Sequence, residues 1–281
     1  MAWTERQHRL LAAMGLRLLS PPAAEGASPA QLPVAEPAPA PVAPPAVTAA
    51  AVAVSAAVPA AADRRAPTPP AEAPGARPGS AAAALSALGW PDLREAVAAC
   101  RACGLCERRT QTVFGVGSPQ AQWMVVGEAP GEQEDREGEP FVGAAGQLLD
   151  RMLAALQLTR AQEPGTPPER QVYIANTLKC RPPGNRNPAP DELARCEPFL
   201  VRQIELLKPR IILAMGRFAV QALLRSDEPI GRLRGRVHRY QGVPLVVTYH
   251  PAYLLRNLPE KAKAWDDLCL AAEVFERPPA G

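Results

Sequence analysis

Proline placement constrains this chain more than any other feature. Fifteen of its 34 prolines fall between Pro21 and Ser80, in a stretch made otherwise mostly of alanine with some valine, glycine and a few charges. Such a segment buries too little varied apolar surface to offset the entropy of ordering it. Residues 21–83 are therefore expected to be a disordered Ala/Pro-rich linker, which leaves residues 84–281 to build one compact domain. Ahead of the linker, within residues 1–20, Trp3, Leu10, Leu11, Met14, Leu18 and Leu19 recur at helical spacing with arginines between them. That pattern predicts a short amphipathic helix. Neither this segment nor the Ala/Val run 46–62 has the unbroken apolar core of a secretion signal or membrane span. The expectation is a cytoplasmic protein with no membrane, in which six cysteines suggest metal before disulfide.

Beyond the linker, short apolar runs alternate with longer amphipathic stretches. Strands are expected at Gln122–Gly127, Gln171–Asn176, Arg210–Ala214 and Val243–Thr248. A helix running into a cysteine turn is expected over Pro91–Cys103, and further helices at Ala144–Leu156, Asp191–Leu207, Arg217–Arg225 and Glu260–Phe275. This order predicts a three-layer α/β/α domain around a central four-stranded, mainly parallel sheet. In open parallel sheets the binding crevice lies beyond the carboxyl ends of the strands. Gly127-Glu128-Ala129-Pro130-Gly131, Asn176 and His250-Pro251 all fall there.

Cys100, Cys103 and Cys106 form Cys-x2-Cys-x2-Cys, with Cys180 and Cys196 further on and Cys269 alone in a helical pattern. Thiolate sets of this kind bind zinc or an iron–sulfur cluster, and spacing does not separate the two. The net charge of +3 is weakly basic, so nucleic-acid contact would need a local patch. Arg232, Arg234, Arg236, His238 and Arg239 form either such a patch or a solvated charged strand or loop.

Taken together, the run Cys100–Thr110, GEAPGEQED (127–135), PFVGAAGQLL (140–149), NTLKCRPPGNRNP (176–188) and HPAYLLRN (250–257) resembles the successive motifs of family 4 uracil-DNA glycosylases. The resemblance covers nearly the whole domain and implies a monofunctional hydrolase that removes uracil from single- or double-stranded DNA in base excision repair, without strand cleavage. It also implies a [4Fe-4S] cluster on Cys100, Cys103, Cys180 and Cys196, with Cys106 spare and a Cys103/Cys106 pairing as the alternative. The cluster would be structural. A monomeric, nucleoid-associated bacterial enzyme is the corresponding expectation.

The same resemblance assigns the site. Phe141 would stack on a flipped uracil, and Asn176 would read its edge with one acceptor and one donor. His250 would stabilise charge developing on uracil O2. Glu128 with the main chain of Ala129 and Pro130 would form the floor, with Glu134 near water or sugar. Glu128 or Asn176 is the candidate to guide water, since Ala129 stands where family 1 enzymes carry an aspartate. Arg181 is expected on DNA, and Leu255 with Arg256 would enter the space the base leaves. Residues 2–19 resemble the N-terminal peptide of the bacterial clamp-loader psi subunit, which would imply a partner in the replication machinery; a nonfunctional frayed helix is the alternative. Two other functions stay open: a covalent uracil-DNA trap, opposed by the absence of histidine in 179–190, and a non-catalytic zinc or iron–sulfur binding protein.

Overall fold

Four apolar runs build the centre of the molecule, whose computed structural model describes residues 85–277. The amphipathic helix expected within 1–20 and the linker expected at 21–83 lie outside the described residues. The runs are β2 (Trp123–Gly127), β3 (Val172–Asn176), β4 (Ile211–Met215) and β6 (Val243–Thr248). The first three are buried at every position, as expected for parallel strands covered on both faces. They pair in the order β3-β2-β4-β6, all parallel.

The sheet has six strands, not the four expected. Val116–Gly117 (β1) adds antiparallel to β3, and Val237–Tyr240 (β5) adds antiparallel to β6. Neither edge is legible as an apolar run: β1 is two residues long, and β5 reads Val-His-Arg-Tyr with alternate positions exposed. The arginine-rich segment thus folds partly as a solvated edge strand, a placement charged side chains tolerate and which discourages further pairing.

Alternating strand residues feed two cores. Val125, Ile174, Leu213 and Val246 face α3 (Ala144–Ala155) and α8 (Glu260–Glu276), meeting Leu149, Met152, Trp265 and Leu268. Met124, Ala175, Ile212 and Val247 face α4 (Pro190–Leu207) and α5 (Arg217–Leu224), meeting Leu200, Ile204, Val220 and Leu223. The result is the three-layer arrangement. These helices match the expected spans to within a residue or two. The helix running into a cysteine turn is found too: α1 covers Trp90–Ala98, Cys100 and Cys103 follow it, and Cys106 sits in a 3-10 turn at Gly104–Glu107. Among the described residues no helix is long and apolar enough to cross a membrane.

Register fixes what meets at the carboxyl edge. Gly127 lies opposite Asn176, and Met215 opposite Thr248. Past the strand ends, Thr177 N–H donates to Gly127 O (3.0 Å) and Leu178 N–H to Glu128 O (3.1 Å). The two motif-bearing loops are therefore laced together before any side chain is considered.

Candidate active site and cysteine cavity

A cleft of about 850 Å³ opens over this edge. Glu128, Ala129, Pro130 and Gly131 line one part of it, with Gly216 and Arg217 after β4, Tyr249 and His250 after β6, and Arg256 on the short helix α7 (Pro251–Arg256). Asn185, Arg186 and Asn187 come from the loop before α4. Glu128 and His250, expected at separate strand tips, thus line one cleft, while Asn176 lies opposite Gly127 at the end of β3.

Phe141 and Asn176 are not among the residues lining this cleft; both are buried, 5% and 2% exposed, and a glycine governs their position. A Cβ on Gly127 would stand 2.4 Å from Asn176 Oδ1 and 2.6 Å from Phe141 Cζ. Only a residue without a side chain lets both approach the end of β2. Asn176 Oδ1 is buried and has no hydrogen-bond partner, a condition that costs about 1–3 kcal/mol when left unmet.

Phe141 holds a left-handed backbone, φ 56°, which for a non-glycine residue costs on the order of 1–3 kcal/mol. Two neighbours maintain it. Gly146 gives it room, because a Cβ there would lie 1.7 Å from Phe141 O. Arg160 clamps it, donating to Pro140 O (2.8 Å) and Phe141 O (3.0 Å) while its Nε is held by Asp150 at 2.7 Å.

The His250 ring stacks on Phe141 at 5.2 Å between centroids. Burial, with a smaller contribution from the Arg256 charge, pushes its pKa down to about 4, so the imidazole is neutral near pH 7. Nδ1 accepts the Ala252 N–H at 3.2 Å. That acceptor role assigns the proton to Nε2, which becomes the ring's donor.

Two carboxylates of the GEAPGEQED segment, Glu134 and Glu128, are tied to main chain. Glu134 accepts from Gly131 N–H (3.0 Å) and Val142 N–H (3.2 Å), stapling this loop to the one that carries Phe141. Glu128 accepts from Phe218 N–H at 3.2 Å, at the start of α5. Burial pushes the Glu128 carboxyl up, and the Phe218 and Arg217 N–H groups with the Arg217 charge draw it back. Gly216, φ 95°, makes room for this: a Cβ would meet Glu128 Oε1 at 2.4 Å.

Arg181 does not line the cleft. It bonds Asn185 Oδ1 (2.7 Å) and pairs with Glu132 (3.3 Å), bracing the loop that places Asn185 and Arg186. Leu255 is 41% exposed, flanked by exposed Tyr253 and Leu258, and Tyr253 stacks on Tyr249 at 5.1 Å. Arg160, Arg217 and Tyr249 were not singled out from sequence. A signal existed for Arg217, which directly follows the strand end Met215-Gly216; none existed for Arg160, whose role depends on tertiary contact.

The cysteines line a separate, small cavity. Cys100, Cys103, Cys106, Cys180 and Cys196 surround it with Val97, Leu105, Leu178 and Phe199. Cys180 lies within electrostatic reach of Cys103 and Cys100, and Cys196 of Cys180 and Cys100, while Cys106 reaches Cys103. Burial pushes the Cys196 thiol up to about 12. Arg109 donates to Cys180 Sγ at 3.0 Å.

A three-layer sheet with an aromatic, an amide and a neutral imidazole converging at its carboxyl edge defines a class. Residues 114–269 match the family model of the uracil DNA glycosylase superfamily, and the chain belongs to that superfamily. Curated relatives narrow the assignment. The type-4 uracil-DNA glycosylase of Archaeoglobus fulgidus is 42% identical over 172 residues, 58% of this chain and 82% of the relative. That of Saccharolobus solfataricus is 39% identical over 196 residues, 66% of this chain and 87% of the relative. That of Thermotoga maritima is 42% identical over 165 residues, 58% of this chain and 81% of the relative. The chain is a member of the type-4 family.

Proposed function

We propose that this chain hydrolyses the N-glycosidic bond of deoxyuridine in DNA, on a uracil turned out of the stack into the site beside Phe141. It is a DNA-repair glycosylase, and the residue roles below are our reading of its site. The observation that carries them is the buried, unpartnered Oδ1 of Asn176, held against Phe141 by a glycine no other residue can replace. Uracil presents N3–H to that oxygen and O4 to the Asn176 amide N–H; cytosine presents the opposite pattern. A site built to pair with one edge rejects a base lacking it because its own buried polar groups are then left unmet.

His250 faces the reaction as a neutral Nε2–H donor. Negative charge gathers on uracil O2 as the bond to the sugar breaks, and a donor placed for that oxygen acts on the transition state more than on the substrate. Glu128 lines the cleft and accepts the Phe218 N–H, while burial raises its carboxyl above the ordinary range; that placement fits it to orient the attacking water. Hydrolysis without a Schiff base leaves an abasic strand intact, and that is the expected product.

The cysteine cavity fits a [4Fe-4S] cluster on Cys100, Cys103, Cys180 and Cys196. The donor set is four thiols in apolar surroundings. Four such donors can hold one iron–sulfur cluster. Its part would be to cross-link the segment 100–103, the loop after β3 and α4, bracing the strand end that carries Asn176.

The test is uracil release from single- and double-stranded oligonucleotides. Wild-type protein is expected to free uracil and leave an intact abasic strand. His250→Ala should lose roughly 10²–10³-fold in kcat, and Asn176→Ala should lose activity while retaining the fold. A persistent protein–DNA band on a denaturing gel without free uracil would instead identify a covalent trap.

A further inference from the structure

Lys179 is the side chain whose environment the reaction leaves unexplained. It is 1% exposed, and its ammonium donates to Asn176 main-chain O at 2.8 Å and Gln203 Oε1 at 2.7 Å. Gln203 is itself fixed, because its amide N–H groups donate to Phe114 O (2.8 Å) and Tyr173 Oη (3.2 Å). Both acceptors of the ammonium are neutral. A buried cation without an opposing charge is strongly unfavourable, so an anion should stand near it.

Lys179 lines the cysteine cavity together with Cys180 and Cys196. Its own main-chain N–H donates to Cys196 Sγ at 3.3 Å, and Cys180 is the next residue. The lysine is thus packed on one side against two of the four thiols assigned above to the cluster, and hydrogen-bonded on the other to the residue assigned to uracil.

We propose that Lys179 is the buried counter-cation of the iron–sulfur cluster and the positioning residue that joins the cluster to Asn176. The inference rests on the cluster reading of the preceding section. A [4Fe-4S] core held by four thiolates is a net anion, and one-electron reduction makes it more negative, so a nearby cation raises its potential and stabilises it. Arg109, on Cys180, supplies a second positive group, but it is only partly buried and shares its field with solvent. Lys179 is sealed, so its field reaches the cluster less screened. The bond from its ammonium to Asn176 O holds the end of β3 at a fixed distance from the cysteine loop.

Two variants separate charge from geometry. Lys179→Met removes both the charge and the bond to Asn176. Gln203→Glu keeps the lysine and its bond to Asn176 but sets a carboxylate against the ammonium. On protein purified anaerobically, the readouts are iron per chain, cluster midpoint potential with dithionite as reductant, rate of iron loss to a chelator, and kcat for uracil release. Both variants are expected to show a more negative midpoint and faster iron loss than wild type. Lys179→Met should also lose kcat by about tenfold, whereas Gln203→Glu should stay within about twofold.

Midpoints and iron-loss rates equal to wild type in the variants would overturn the proposal, and so would an equal loss of kcat in both. If Lys179→Met does not fold, Gln203→Glu decides alone. Wild-type protein that carries no iron would defeat the cluster reading itself and take this inference with it; the iron content of the wild type tells the two failures apart.

Discussion

His250 makes a quantitative prediction about acid stability. Its folded pKa is about 4 against an ordinary value of 6.5, so between those values the unfolded chain binds a proton that the folded chain refuses. Stability should therefore rise with pH through that window, be fully present above about 6.5, and be lost as pH falls toward 4. For these two values the penalty is roughly 2 kcal/mol at pH 5.0 and under about 0.1 kcal/mol at pH 7.5. His250→Gln retains a polar side chain of similar size that does not titrate here. Urea denaturation of wild type and variant at both pH values isolates the contribution, because every other titrating group is common to the two. The wild type should lose about 2 kcal/mol relative to the variant on going from pH 7.5 to 5.0. An unchanged difference would refute the reasoning, as would an imidazole resonance titrating near its ordinary value. The same neutrality implies that kcat is not governed by His250 titration between pH 6 and 8.

Other expectations follow from the geometry of the site. Gly127→Ala drives a methyl group into Asn176 Oδ1 and Phe141; uracil release should fall at least 10²-fold with near-normal circular dichroism. Arg160→Ala frees the carbonyls of Pro140 and Phe141, so the left-handed loop should relax, with kcat dropping roughly tenfold and KM changing little. Arg217 stands where the cleft continues into a second groove between α4 and α5, the two sharing Asn187, Pro188, Arg217 and Asp227. Arg217→Ala should raise KM for DNA and flatten its salt dependence by about one charge, leaving kcat near wild type. Cys180→Ala should lower iron content and solubility together, and a stable, fully active, iron-free variant would contradict a bracing role for the cluster.

The central strands could be anticipated because burial on both faces demands uninterrupted apolar residues, and Trp-Met-Val-Val, Val-Tyr-Ile-Ala, Ile-Ile-Leu-Ala and Leu-Val-Val supply them. Once four parallel strands are assumed, the residues after them fall on one edge, which is why Glu128, Asn176 and His250 were readable as a group. The edge strands were not readable, since β1 is two residues long and β5 half-exposed, neither having a sequence period to show. Roles set by contacts distant in the chain were also hidden. Nothing local marks Arg160 as the clamp on Phe141, or Gly146 as the space that permits its backbone. Glu134 was legible as a nearby carboxylate, but its use as a staple between two loops emerges only when Gly131 and Val142 are brought to it. Lys179 reads in sequence as an ordinary charge beside a cysteine, and only burial makes it unusual.

The lone acceptor at the end of β3 also bears on how the enzyme behaves after each turnover. Free uracil carries the same N3–H as the nucleotide it came from, so under the proposed role of Asn176 the product would satisfy it as well as the substrate. Free base should therefore compete with DNA and raise the melting temperature in proportion to its occupancy. In the absence of DNA, added uracil should then act as a stabiliser of the fold.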